Sequence, residues 1–123
     1  MTSYTFIIHG NQENDQGNPI PYLRMTQGSK WSKQAKRYLS WKEYVRKTFQ
    51  KVHNISFIDK PFNAPKARLT VHCSFRGENH ADLDNIAKGL LDSLFIQDKH
   101  VDVTTTHSCG NAKGSCVVTV DIY

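Results

Sequence analysis

The chain has few of the features that mark secreted, disulfide-linked or membrane proteins. It contains three cysteines in 123 residues, an odd number without framework spacing, which argues against a disulfide scaffold. Its apolar runs are far shorter than the roughly eighteen residues of a membrane-spanning helix, so no membrane association is predicted. The first ten residues, MTSYTFIIHG, lack the basic start and long apolar core of a secretory signal. We therefore expect a cytoplasmic protein.

Acidic side chains are also scarce. The chain has 11 Asp and Glu against 16 Lys and Arg, which gives a net charge of +5, and its pI is about 9.2. A hydrophobic fraction of 38% and a charged fraction of 22% are typical of a soluble globular protein. The length predicts a single domain over residues 1–123.

The basic residues are concentrated in one segment. Between Arg24 and Lys51 there are nine Lys and Arg and one acid, Glu43, with aromatic residues interleaved. Such a segment is either the solvated face of an amphipathic helix or a surface that binds a phosphate backbone by releasing counterions. For the second alternative, the candidate DNA contacts are Arg24, Lys30, Lys33, Lys36, Arg37, Arg46, Lys47 and Arg76.

Hydrophobic periodicity predicts strands and helices in alternation. The predicted strands cover residues 3–8, 22–26, 66–77, 100–108 and 115–123. Ser32 is the expected N-cap of a long helix from about Lys33 to His53. Its apolar stripe is Tyr38, Trp41, Val45, Phe49 and Val52.

A second, shorter helix is predicted from Asp82 or Leu83 to about Leu94, with a leucine-rich buried face. The turn residues CGNAKG between the last two strands predict an antiparallel hairpin. Together these elements indicate a small α+β domain in which two helices pack on a mixed β-sheet.

The stretch NHADLDNIAKGLLDSLFIQDKHV, residues 79–101, holds the main cluster of acids. Asp82 is at a natural N-cap position, and Asp84 lies in the first helical turn, where the helix dipole favours an anion. Asp84, Lys88 and Asp92 are spaced four apart, so they share one helix face. That spacing alone predicts a ladder of exposed ion pairs.

A fourth acid, Asp98, follows the end of this helix. A short helix packed against its following strand could return Asp98 towards Asp82 and Asp84. Three converging carboxylates would repel one another unless a cation lay between them, and hard oxygen ligands favour Mg²⁺ or Mn²⁺.

Other candidate ligands have weaker patterns. His107, Cys109 and Cys116 could be considered around zinc, but their spacing matches no standard pattern. We expect them to lie in or beside the hairpin. His80, close to Asp82, is a candidate phosphate contact.

The motif D-L-D-N-x-x-K-x-x-x-D-x-L followed by D-x-x-V, over residues 82–101, resembles that of the RusA family of Holliday junction resolvases. The resemblance implies a Mg²⁺-dependent endodeoxyribonuclease of DNA recombination and repair, often found on prophages. It also implies a homodimer that cuts two opposed strands of a four-way junction. The residues that correspond to the family's metal-binding aspartates are Asp82, Asp84 and Asp98, and the catalytic lysine is Lys88.

The sequence leaves several alternatives open. Asp92 matches a further position of the motif, for which we expect a mainly structural role. The linker from Asp92 to Asp98 is shorter than in the family, which leaves Asp102 as an alternative third ligand. The alternative functions are a less selective metal-dependent nuclease on branched DNA, or a non-catalytic nucleic-acid-binding module.

Overall fold

Four strands and two helices are present in the computed structural model, which describes residues 1–26, 28, 32–55, 60–63 and 66–123. They are β1 (Thr2–His9), α1 (Lys33–His53), β2 (Ala67–Arg76), α2 (Leu83–Leu94), β3 (Val101–Asn111) and β4 (Ser115–Ile122). The predicted α+β class is confirmed, because the two helices pack on one mixed sheet. Within the described ranges, neither helix is apolar enough along its length to cross a membrane.

The strand order in the sheet is β1-β4-β2-β3. β4 is antiparallel to both of its neighbours, whereas β2 and β3 are parallel and are joined through α2. β1, β2 and β3 therefore all finish at the same end of the sheet, which we call the carboxyl edge. The opposite end, where β2 and β3 begin, is the amino edge.

The predicted hairpin between the last two strands is wrong, because β2 lies between β3 and β4. The apolar content of the two strands explains their positions. Cys116, Val118 and Val120 of β4 are fully buried under the helix layer, and β4 lies in the interior of the sheet between β1 and β2. None of the side chains of β3 is buried, and β3 is accordingly an outermost strand of the sheet, with β2 as its neighbour.

α1 begins and ends with the backbone geometry that its sequence predicts. The Ser32 hydroxyl accepts a hydrogen bond from the Ala35 amide at 3.1 Å, and Asn54 closes the helix in the left-handed region at φ 51°. The predicted apolar stripe is buried from Tyr38 to Phe49. Val52 is an exception at 55% exposure, since His53 takes the place against the Tyr4 ring in the last turn.

α2 packs beside α1 on the same face of the sheet. Its buried residues include Ile86, Leu90 and Leu94, as the leucine-rich pattern predicts. Both helices start at the carboxyl edge. The other face of the sheet is polar and uncovered, and its side chains bond to one another, as His72 Nδ1 does with Thr106 Oγ1 at 2.7 Å.

The strand predicted over residues 22–26 is absent, and this described segment lies across the two helices instead. The Tyr22 amide donates to the Asn85 carbonyl at 2.9 Å. A Cβ on Gly89 would come within 3.3 Å of the Tyr22 nitrogen. The segment therefore has its backbone bonds on the helix layer, where no strand is available for pairing.

The polar loop that follows β1 is held by hydrogen bonds to the turn before β4 and to the end of β2. Gly10 has φ +59°, and its amide donates to the Gly114 carbonyl at 2.8 Å. A Cβ on Gly114 would lie only 2.2 Å from the Gly17 carbonyl oxygen. At its far end Asn18 bonds to both backbone groups of Arg76, which ties the loop to the end of β2.

Candidate functional site

Asp82 and Asp84 lie at the start of α2, on the carboxyl edge. Asp82 is the N-cap, and its Oδ1 accepts a hydrogen bond from the Asp84 amide at 2.9 Å. Both side chains are exposed. Within the described part of the chain, neither carboxylate forms an ion pair, so both can accept an external cation.

Lys88 lies one turn further along α2, but it does not bridge the two aspartates of the helix face. Its Nζ is 4.4 Å from the centre of the Tyr22 ring, a cation–π contact. The ion pairs among the described residues include neither Asp84–Lys88 nor Lys88–Asp92. The predicted ladder of ion pairs is therefore wrong.

Asp92 is held by a network of its own. The Tyr38 hydroxyl donates to Asp92 Oδ2 at 2.7 Å, Lys42 Nζ lies 3.1 Å from the same oxygen, and Lys60 Nζ lies 3.2 Å from Oδ1. Burial opposes ionisation, but these three donors outweigh it and lower the pKa of Asp92. Burial and the Asp92 carboxylate together raise the pKa of Tyr38. These contacts agree with the structural role expected for Asp92.

The structure does not bring Asp98 to Asp82 and Asp84. Asp98 is exposed beyond the end of α2, and its carbonyl accepts from the Val101 amide at the start of β3. A helix of twelve residues is about 18 Å long, so α2 separates the amino edge from the carboxyl edge by that distance. The alternative ligand, Asp102, lies opposite Arg68 in the register of β3 and β2. Arg68 is near the start of β2, so Asp102 also lies at the amino edge.

A different group of ligand atoms does converge at the carboxyl edge. In the described residues, one group of three metal-ligating side chains has its ligand atoms within 4.8 Å of one another, and it consists of His80, His107 and Cys109. Cys116, considered with these residues from the sequence, is instead buried against Cys73, with the sulfurs 3.3 Å apart. The bond to Cys73 and burial raise the pKa of the Cys116 thiol.

A polar cleft of about 580 Å³ opens beside His80 of the ligand group. The loop after β1 forms one wall, Arg37 of α1 forms another, and the segment from Asn79 to Ala81 closes it. Arg37 also pairs with Glu13 across the cleft. The Arg37 guanidinium of the cleft is therefore already paired with a carboxylate, and an anionic ligand would have to displace Glu13 to reach it.

The predicted DNA contacts divide between different surfaces. At about 100° per residue, Lys33, Lys36 and Lys47 fall within about 60° of one another on the exposed side of α1, whereas Arg37 and Arg46 lie on opposite flanks. Arg24 and Arg76 are exposed beyond the helix, and Arg76 is at the end of β2. Lys30 lies outside the described residues.

Models of known protein families and curated protein sequences contain no match to this chain. The sequence does not identify His80 as a metal ligand, because its position near Asp82 indicates only a phosphate contact. The parity of His107 and Cys109 along one strand was a usable signal, because side chains two apart point to the same side. The position of His80 beside them depends on the parallel pairing of β2 and β3.

Proposed function

We propose that the chain is a metal-dependent endodeoxyribonuclease that resolves four-way DNA junctions by paired nicking, as the resemblance to the RusA family implies. The observation that carries the proposal is the exposed pair Asp82 and Asp84 at the carboxyl edge. Two further observations support it. A polar cleft with Arg37 lies beside the pair, and three lysines share the exposed side of α1.

The donor atoms of this pair are suited to Mg²⁺, with Mn²⁺ as the alternative. Mg²⁺ in nucleic-acid enzymes is held through one or two carboxylates, waters and substrate phosphate oxygens. Asp82 and Asp84, two residues apart at the start of α2, supply two hard carboxylate oxygen donors without competing ion pairs among the described residues. A bound Mg²⁺ supplies Lewis-acid stabilisation of charge on the scissile phosphate.

The chain's own residues do the remaining work in this proposal. The cap bond from the Asp84 amide holds the Asp82 carboxylate, so this one ligand is oriented before metal arrives. Lys88 rests on Tyr22 within one turn of Asp84 and can move its ammonium to a phosphate oxygen. Arg37 and the lysines of α1 hold the DNA backbone through phosphate contacts, which carry no base information.

The third carboxylate of the resemblance, Asp98, can join the pair only from another copy of the chain, since α2 keeps it at the amino edge. The proposal therefore includes a homodimer in which Asp98 of one copy approaches Asp82 and Asp84 of the other. Two such sites would serve the two opposed strands of a junction. The proposed activity, on cellular DNA, places the protein in the cytoplasm.

The decisive experiment is cleavage of a synthetic four-way junction with and without Mg²⁺. We expect paired nicks with wild-type protein and none with Asp84→Asn, while Asp121→Asn, an aspartate on the uncovered sheet face, cleaves normally. Equal cutting of flaps and junctions would favour the less selective nuclease. Junction binding without cleavage under Mg²⁺ or Mn²⁺ would instead indicate a non-catalytic nucleic-acid-binding module.

A further inference from the structure

We infer that His80, His107 and Cys109 form a binding site for a divalent transition metal of the zinc class. The site is separate from the carboxylate pair and does not depend on the proposed nuclease function. Its ligands are imidazole nitrogens and a thiolate, a set that suits Zn²⁺ and disfavours Mg²⁺, which takes oxygen ligands.

The fold brings the three side chains together from two segments far apart in the chain. His107 and Cys109 are two residues apart on the edge strand β3, so they point to the same side. His107 pairs with Cys73 in the register of β2 and β3, which places it on the helix-covered side. His80 follows the end of β2 and meets them there, because parallel strands finish at the same edge.

The orientation of His80 is fixed by contacts on two sides. Its ring stacks on the buried Phe75 ring, with centroids 3.7 Å apart and planes 1° apart. Its Nδ1 lies 2.7 Å from the Ala81 carbonyl oxygen. Because a carbonyl only accepts, Nδ1 must carry the hydrogen, and Nε2 of the neutral ring is left with its lone pair. A bond of this kind from the non-ligating nitrogen is typical of metal-binding histidines.

Nε2 of His80 points at the sulfur of Cys109, and the two atoms are 3.3 Å apart. Around a tetrahedral zinc with ordinary bond lengths, a nitrogen and a sulfur ligand are separated by roughly 3.6 Å. A thiol–imidazole hydrogen bond would explain this contact by itself. It does not explain why the His107 ring nitrogen also lies within 4.8 Å of both atoms.

Three protein ligands leave the fourth tetrahedral position open. His107 and Cys109 are exposed and His80 is half-buried, so water or an anionic ligand can reach the metal. Binding requires the Cys109 thiol to lose its proton to solvent and both imidazoles to be neutral. The site is thus a three-ligand site that is open to solvent, and it spans the edge strand and the segment that leads into α2.

The test is direct metal binding by the full chain without DNA. Zn²⁺ affinity is measured by competition with a chromophoric chelator, and Co²⁺ is used as a spectroscopic probe. We expect Co²⁺ to give thiolate-to-metal charge-transfer absorption that is lost in Cys109→Ser, although Cys73 and Cys116 remain. Loss of a group that only hydrogen-bonds to a metal ligand already costs about 10- to 100-fold in metal affinity, so Cys109→Ser and His107→Gln should each weaken Zn²⁺ binding at least about a hundredfold.

Two matched controls separate this site from other metal binding. His100→Gln removes an exposed histidine at the amino edge and should leave Zn²⁺ affinity unchanged. Asp82→Asn combined with Asp84→Asn should also retain Zn²⁺ binding, which distinguishes the site from the proposed Mg²⁺ ligands. The inference is overturned if the wild type does not bind Zn²⁺, if its Co²⁺ complex lacks thiolate absorption, or if both ligand variants bind Zn²⁺ as tightly as wild type.

Discussion

The carboxyl edge and the amino edge of the sheet arrange their charged groups differently. At the carboxyl edge, Asp82 and Asp84 lie beside a three-residue ligand group and an open polar cleft. At the amino edge, Asp102 lines a cleft of about 460 Å³ with Lys66 and Lys99, so that acid faces cations of its own chain. In a β2–α2–β3 unit, the helix carries the chain from one edge to the other. Asp82 and Asp98, which bracket α2 in sequence, therefore lie at opposite edges within one chain.

The largest effect is expected at the carboxyl edge. Asp82→Asn and Asp84→Asn should each lower Mg²⁺-dependent junction cleavage by about a hundredfold or more, since each removes a proposed metal ligand. Junction binding, measured by electrophoretic mobility shift without metal, should stay near the wild-type level. If either variant cleaved at the wild-type rate, the carboxyl edge would not be the metal site.

The amino edge provides the next test, through Asp98. Asp98→Asn alone should be inactive, and so should Asp84→Asn. A mixture of the two variants should regain cleavage, because in a mixed dimer one site would have Asp84 from one copy and Asp98 from the other. The measurement is junction cleavage after the variants are mixed and allowed to exchange subunits.

The same mixture can contradict this arrangement. Full cleavage by Asp98→Asn alone would show that Asp98 is not part of the site. Cleavage by Asp102→Asn would then test Asp102 as the alternative ligand. If both pure variants were inactive and their mixture stayed inactive, a composite site between copies would be ruled out.

A smaller effect is expected from the lysines on α1. Lys33→Ala with Lys36→Ala should weaken junction binding about tenfold and reduce its dependence on salt, because each lost phosphate contact lowers the slope by about 0.9. The matched control is Lys66→Ala with Lys99→Ala, which removes the same charge at the amino edge. Equal losses in the two double variants would mean that net charge, rather than the α1 surface, governs binding.

The smallest effect is expected at Asp92, the acid of α2 that forms ion pairs with Lys42 and Lys60. Asp92→Asn should lower the free energy of unfolding by about 1 kcal/mol, because the amide still accepts from Tyr38 but no longer pairs with Lys42 and Lys60. Since the pKa of Asp92 is lowered in the fold, its contribution is present above the ordinary aspartate range and is lost as pH falls through the folded value.

Denaturant unfolding at several pH values checks this prediction. Wild type and Asp92→Asn should differ at neutral pH and converge in acid. A difference that is equally large at both ends of the range would show that the loss comes from packing rather than from the charge of Asp92.

Local features of the fold were predictable because they depend on neighbouring residues. The cap at Ser32, the cap at Asp82 and the buried alternation of β2 each follow from spacing within one element. The same is true of the span of α1, which matches the predicted limits from Lys33 to His53. For these elements the hydrophobic pattern and the capping chemistry agree, and no distant contact overrides them.

Features that depend on strand order were not predictable. A short turn favours a hairpin, but β2 pairs with both β3 and β4 and so lies between them. Which strand lies between two others is decided by long-range pairing across the whole sheet and not by the residues of the turn. The expectation that Asp98 returns towards Asp82 and Asp84 is wrong for a similar reason. The direction in which α2 runs along the sheet decides at which edge Asp98 lies. His80 became a candidate ligand only through the parallel pairing of β2 and β3.

The tethered loop after β1 has a consequence for the entropy of binding. Its ends are fixed by the bonds from Gly10 to Gly114 and from Asn18 to Arg76, and its interior by the side chain of Asn11. A wall of the cleft is thus ordered before any ligand arrives, so little conformational freedom remains to be lost on association. We expect the Gly10 and Gly114 amides to exchange hydrogen slowly with solvent, at rates close to those of the central strands rather than those of an open surface loop.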